Sequence, residues 1–292
     1  MENEQVRARI NLILSMTIFG TIGIFRNYIP LPSSVIAMIR GFIGMLFLLA
    51  VILCKRQKIN FNAVKKNLLL LLFSGAFIGV NWILLFEAYR YTTVATATLC
   101  YYMAPVFVII ASPIVLKEKL TLKKLLCTFT AILGMVIISG IFSGGVGSIT
   151  GIFFGLGAAV LYATVILLNK FIKDISDRER TLFQLGTAAI TVLPYVLLTE
   201  DMHTLNTAPS TIILMIIVGI IHTGIAYSLY FGSIEKISAQ TAAIFSYIDP
   251  VVALILSAVI LKESFTWMHL LGSVLILGAT IIIEIPKKKK NF

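Results

Sequence analysis

The chain has 292 residues, 59% of them hydrophobic and only 13% charged, with a mean hydropathy of +0.99. Soluble domains average about 45–50% apolar and about 25% charged residues, so a soluble enzyme, a disordered chain and a secreted disulfide scaffold are excluded. The formal net charge is +11, from 24 basic and 13 acidic residues. On a soluble protein that would suggest nucleic acid; on a membrane chain it first asks which side of the bilayer the basic residues occupy.

At roughly 20 apolar residues per crossing, the chain has room for ten spans. Apolar runs fall at 10–26, 34–54, 68–89, 94–116, 124–142, 151–170, 182–199, 210–231, 239–261 and 268–285. They are continuous rather than alternating, which excludes a barrel, and hydrocarbon requires their backbone groups to be bonded internally. The predicted fold is an all-α membrane protein of ten transmembrane helices. The first run follows Arg7 and Arg9 as a signal peptide would, but no small-x-small cleavage site comes after it, so it reads as a membrane helix. Cys54, Cys100 and Cys127 lie far apart in or beside apolar runs, with no zinc-like or disulfide spacing, and read as small apolar filler.

With the N-terminus inside, 20 of the 24 basic residues fall in cytoplasmic segments and only Arg26, Arg40, Arg90 and Lys262 on the other side. This asymmetry predicts two cytoplasmic termini and removes nucleic acid from the expected partners. The acidic turn Glu200-Asp201-Met202-His203 then lies outside, and the tail Lys287–Lys290 anchors against anionic lipid.

Residues 95–106 (ATATLCYYMAPV) align with 240–251 (QTAAIFSYIDPV) at a spacing of 145. The match runs on through Leu116-Lys117-Glu118 and Leu261-Lys262-Glu263, and Gly75 and Ala95 meet Gly219 and Ala239 across a one-residue gap. The chain therefore divides into a five-helix repeat at 1–142, a Gly/Ser-rich linker at 143–150 and a second repeat at 151–292. An odd number of crossings inverts one half relative to the other, an architecture in which the halves rock about a midplane site.

Two five-helix halves, each with a Tyr-x-x-Pro helix followed by Leu-Lys-Glu, resemble the drug/metabolite transporter superfamily, EamA type. Arg40 in Met-Ile-Arg-Gly-Phe and the acid of Tyr247-Ile-Asp-Pro250 add to the resemblance. It implies a secondary transporter or facilitator of small metabolites, amino acids or related compounds, working by alternating access in the cell (inner or plasma) membrane, with export as the implied direction. Proton-coupled exchange of drugs or nucleotide sugars is the alternative. Two departures stand out: Lys117 and Lys262 replace a frequent glycine, and Ala104 stands in the first half where the second carries Asp249.

Polar groups within hydrocarbon are functional candidates by default. Asp249, beside the helix-breaking Pro250, is the sharpest: it offers a carboxylate to a cation, an amine or a proton, or else is held structurally. His222 is a second candidate for proton coupling. Arg40 reads as an anion clamp or a structural ion pair. Asn81, Trp82, Tyr101, Tyr102, Tyr162, Tyr227 and Tyr247 complete the candidate binding set, by hydrogen bonding, stacking or cation–π contact, and packing competes with function for each. Pro105 and Pro250 mark bends and candidate hinges; Gly75-x-x-x-Gly79 and Gly151-x-x-x-Gly155 read as packing faces. Glu118 and Glu263 read as helix-end caps, and Glu87 as a surface partner of Arg90.

No metalloprotease, nucleophile-elbow, Walker or dinucleotide motif occurs, and Asp174 and Asp177 lie in a mixed-charge loop. No catalytic residue, metal or cofactor is expected. The expected partners are a small-molecule substrate and the lipid bilayer, with a monomer plausible. An intramembrane enzyme would predict clustered acids or histidines and no repeat, and a channel would predict a continuous polar stripe.

Overall fold

The computed structural model describes residues 2–92, 94–138, 148–201, 205, 208–260, 262 and 266–284. Most of the linker, His203, Glu263 and the Lys287–Lys290 tail lie outside them. The regular secondary structure among the described residues is all helical: α1 (Glu2–Tyr28), α2 (Ser33–Cys54), α3 (Phe61–Tyr91), α4 (Val94–Tyr101), α5 (Ala104–Val115), α6 (Leu122–Ile138) and α7 (Ile149–Asn169). They continue with α8 (Asp177–Thr199), α9 (Pro209–Ile217), a π-helical segment (Val218–Ile225), α10 (Ala226–Lys236), α11 (Ala239–Phe245), α12 (Ile248–Ile260) and α13 (Trp267–Glu284). Three rods are compound: α4 with α5, α9 with the π segment and α10, and α11 with α12. The count is then ten rods; among the described residues, eight are long and apolar enough to cross a membrane. Short connections make successive rods run in opposite directions. We call the end of the bundle where α1 starts basal and the other end apical.

Several helices extend past their apolar runs because polar first turns are capped. The Asn60 side chain accepts from Ala63 N at 3.1 Å at the start of α3, and Ser176 with Glu179 forms a capping box at the start of α8. Hydropathy registers only the part of a helix immersed in hydrocarbon, so these turns fell outside the predicted spans. Conversely, runs 94–116, 210–231 and 239–261, each expected as one helix, are not regular throughout: the first and last are interrupted, and the middle one continues as one rod through a π-helical segment. The first and last of these break at Tyr102–Met103 and Ser246–Tyr247, just before Pro105 and Pro250, which cannot donate to the preceding turn. In the middle one, Gly219 and Gly224 let the widened π turn press against Ile43 and Phe47 of α2.

The helix pairs reveal a two-fold relation between repeats. α3 packs on α7 as α10 packs on α1, α3 packs on α8 as the π segment packs on α2, and α4 and α5 pack on α7 as α12 packs on α1. The pairs α2–α8 and α6–α13 map onto themselves, and the α4/α5 rod meets its counterpart, the α11/α12 rod, through α5 and α11. Glycine makes the closest approaches possible: Gly75 and Gly79 face Thr187 and Thr191 of α8, and Gly151 and Gly155 face Thr92 and Cys100. Large apolar side chains such as Leu69, Phe129, Phe153 and Leu198 point outward, as a lipid-facing surface requires. Lys117 and Lys262 adopt φ of 55° and 60°, a left-handed conformation that explains why glycine suits these paired positions.

Candidate functional site

Between the two repeats lies a cavity of about 300 Å³, within the range of small-molecule sites. Seven of the residues singled out from sequence line it: Arg40, Trp82, Tyr101, Tyr102, Tyr162, Tyr227 and Asp249. Their convergence follows from the repeat. Tyr102 ends the first half of the α4/α5 rod, and Asp249 sits in the first turn of α12, across the self-paired rods. The run 239–261, taken as one helix, puts Asp249 near its middle; the break before α12 puts it at a helix start instead. A carboxylate in a first helical turn faces the positive end of the helix dipole.

The Tyr102 hydroxyl donates to Asp249 Oδ2 at 3.0 Å, and the Tyr247 hydroxyl donates to the Tyr102 carbonyl at 3.1 Å. Tyr247 is itself fully buried and stands behind the cavity wall, holding Tyr102 in position. On one side Tyr101 stacks on Tyr162 (5.6 Å, 19°), which stacks on the buried Tyr230 (6.3 Å, 18°) and donates to its hydroxyl at 2.7 Å. Facing them, the Arg40 guanidinium lies 4.5 Å over the Trp82 ring, and Trp82 meets Tyr227 edge-on at 6.4 Å.

Arg40 forms no ion pair with any described carboxylate, and its Nε is buried without a hydrogen-bond partner. A cation–π contact of this kind contributes about 0.5–2 kcal/mol, and it orients the guanidinium of Arg40 in the apical half of α2, on the wall of the cavity.

Asn81 and His222 are turned elsewhere. The Asn81 amide donates to the Ala158 carbonyl at 2.6 Å and ties α3 to α7, and His222 in the π segment meets Thr21 Oγ1 at 2.7 Å and the Phe25 ring at 4.7 Å, tying that rod to α1. Pro105 and Pro250 lie in the first turns of α5 and α12. Away from the cavity, Arg90 pairs with Glu87 at 3.0 Å while the Tyr195 hydroxyl donates to the same carboxylate, and Asp174 pairs with Lys66 at 2.9 Å. Among the described residues no group of His, Cys, Asp or Glu is arranged to hold a metal ion.

Sequence reasoning missed several wall residues and the basal closure. Phe19, Ser33, Tyr89 and Ser246 also line the cavity, which shares Ser33, Phe86 and Tyr89 with an apical pocket bordered by Tyr195 and Glu200. The basal end is packed shut. Arg180, three residues after Asp177 of the mixed-charge loop, is fully buried and donates to the carbonyls of Phe231 (3.2 Å) and Ile172 (3.3 Å) and to Glu235 (2.7 Å). Glu118 accepts from the backbone N–H of Ala239 at 2.8 Å, the capping role read for it, and Lys170 donates to the Ile237 carbonyl. The cavity therefore opens toward the apical end, a state no sequence feature announced.

Ten rods in two related repeats, enclosing a cavity between them, define an integral membrane transporter. The chain belongs to the EamA-like transporter family, whose profile matches residues 7–140 and 149–285. It is 31% identical to "Uncharacterized transporter YxxF" of Bacillus subtilis (strain 168), over 97% of this chain and 91% of that one. It is 28% identical to "Probable amino-acid metabolite efflux pump" of Salmonella typhimurium (strain LT2), over 58% of this chain and 60% of the other. A crystal structure superposes with a TM-score of 0.84, covering 95% of this chain and 97% of that one at 16% identity, which speaks for the fold alone.

Proposed function

We propose that the protein is a secondary transporter or facilitator that exports a small metabolite of the amino-acid class by alternating access. The observation that carries this reading is the cavity itself: its charged and aromatic walls come from both repeats, so a bound solute touches both halves. Rocking of the half at 1–142 against the half at 151–292 about that solute would close the apical opening and release the basal contacts that join the halves, Glu118 to the Ala239 N–H and Lys124 to the Ser238 hydroxyl. Amino acids are favoured because a carboxylate, a guanidinium and stacked rings share one small chamber, and because one relative is described as an amino-acid metabolite efflux pump. The uneven distribution of basic residues supports a cytoplasmic basal end in an inner or plasma membrane.

The test is counterflow in liposomes containing the purified protein, with labelled amino acids outside and unlabelled ones inside. Transient accumulation of the label is expected, and no accumulation for any amino acid would remove this cargo class. A pH gradient imposed on the same vesicles distinguishes exchange coupled to protons, with Asp249 as the coupling group, from facilitation, in which the gradient has no effect.

A further inference from the structure

We infer that the cavity takes its cargo as a zwitterion, with Arg40 receiving a carboxylate and Asp249 receiving an ammonium. This deepens the transport reading above and rests on it. Arg40, on α2 of the first repeat, and Asp249, on α12 of the second, line one chamber. Neither is neutralised by the other or by any described ion pair. The groups that do touch them are neutral: the Trp82 ring lies under the Arg40 guanidinium, and the Tyr102 hydroxyl donates to one oxygen of Asp249. Those neighbours orient the two charges without cancelling them.

With Asp249 ionised, the chamber carries one positive and one negative group that do not pair with each other. A simple amine would satisfy Asp249 but place a second cation in the chamber with Arg40. A simple acid would satisfy Arg40 but add an anion to the chamber of Asp249. Each leaves a desolvated charge unmatched, and sites of this kind reject a ligand that lacks the partner group more strongly than one with a slightly wrong shape. A zwitterion matches both poles at once. The guanidinium fork suits a carboxylate in particular, since it can donate two parallel hydrogen bonds. In the same chamber, Phe19, Ile22, Ile36 and Val218 offer apolar wall for the remainder of the ligand. Because the poles belong to different repeats, a zwitterion also bridges the halves, and a ligand with one charge does not.

The experiment is counterflow by the wild-type protein with labelled phenylalanine and leucine, competed by three sets of unlabelled compounds: the free amino acids, their amides and their N-acetyl derivatives. The amides lack the carboxylate, and the N-acetyl compounds lack the ammonium. Each modified set should compete at least tenfold more weakly than the free amino acids. Arg40→Gln should bring the amides to within about threefold of the acids while leaving the N-acetyl penalty, and Asp249→Asn should do the reverse. Equal competition by all three sets in the wild-type protein, which needs no variant to fold, overturns the inference while leaving amino-acid transport standing. So do variants that keep the wild-type order of preference. Absence of phenylalanine and leucine counterflow, together with robust flux of a solute carrying a single charge, overturns both this inference and the cargo class it rests on.

Discussion

The two Tyr-x-x-Pro segments are built alike and used differently. In the first repeat Tyr102 is followed by Ala104 and Pro105; in the second Tyr247 is followed by Asp249 and Pro250. Both break a rod at the same place, and the two rods pack against each other. Yet Tyr102 faces the cavity with its hydroxyl on Asp249, whereas Tyr247 is buried behind it with its hydroxyl on the Tyr102 backbone. Ala104 is fully buried and Asp249 lines the chamber. The repeat supplies a symmetric frame with two weak points in its rods, and the chemistry sits where one residue breaks that symmetry.

The largest effect should come from forcing the two positions to be equal. Ala104→Asp places a carboxyl where no side-chain atom is exposed, a cost on the order of 3 kcal/mol or more for an unpaired buried group. The detergent-purified variant should melt well below the wild type or fail to yield monodisperse protein; wild-type melting would mean that position 104 has the surroundings of position 249. A second contrast lies on α1, where two glycines stand three residues apart. A Cβ on Gly20 would lie 2.7 Å from the Asp249 carbonyl oxygen and from Val252, whereas a Cβ on Gly23, which lines the cavity, would meet nothing within 4 Å. Gly20→Leu should therefore destabilise by about 1–3 kcal/mol through overpacking. Gly23→Leu should leave the melting temperature unchanged and cut flux by filling the chamber, and the pair of melting curves checks both.

Tyr102→Phe removes one hydrogen bond to a charged group, worth roughly 1.5 kcal/mol or somewhat more, and should lower transport about tenfold, measured as the initial rate in liposomes; an unchanged rate would reduce Tyr102 to packing. The smallest effect concerns the other end of the repeat motif. Lys117→Gly relieves a left-handed φ of 55° and should stabilise by about 1 kcal/mol, visible as a higher melting temperature. A lower one would assign the lysine side chain a contact that outweighs the strain.

Much of this frame was legible in the sequence because hydrocarbon imposes simple demands. Apolar runs announced the rods, and the 145-residue repeat announced the two related halves. The prolines signalled breaks but not where they fall, since a missing N–H acts on the preceding turn: the bend came at Ser246–Tyr247 and so put Asp249 at a helix start. Direction around a helix was the weakest inference. Asn81 is adjacent to Trp82, and a polar residue on a wholly apolar helix carries no azimuth; Trp82 reached the cavity and Asn81 reached Ala158 on the far side. Arg180 could not be read as buried, because its partners Phe231 and Glu235 lie more than fifty residues away and only tertiary packing brings them to it. The apical opening was equally invisible, because a sequence that supports two states does not say which one is closed.

The central claim is that Asp249 touches the transported solute. The direct measurement is amino-acid counterflow by Asp249→Asn in liposomes beside its melting temperature in detergent. The account predicts that flux of the free amino acid falls at least tenfold yet stays measurable, while the melting temperature stays close to that of the wild type, since asparagine keeps the volume and an acceptor for Tyr102. Wild-type flux in a variant that is folded and fully incorporated would contradict it.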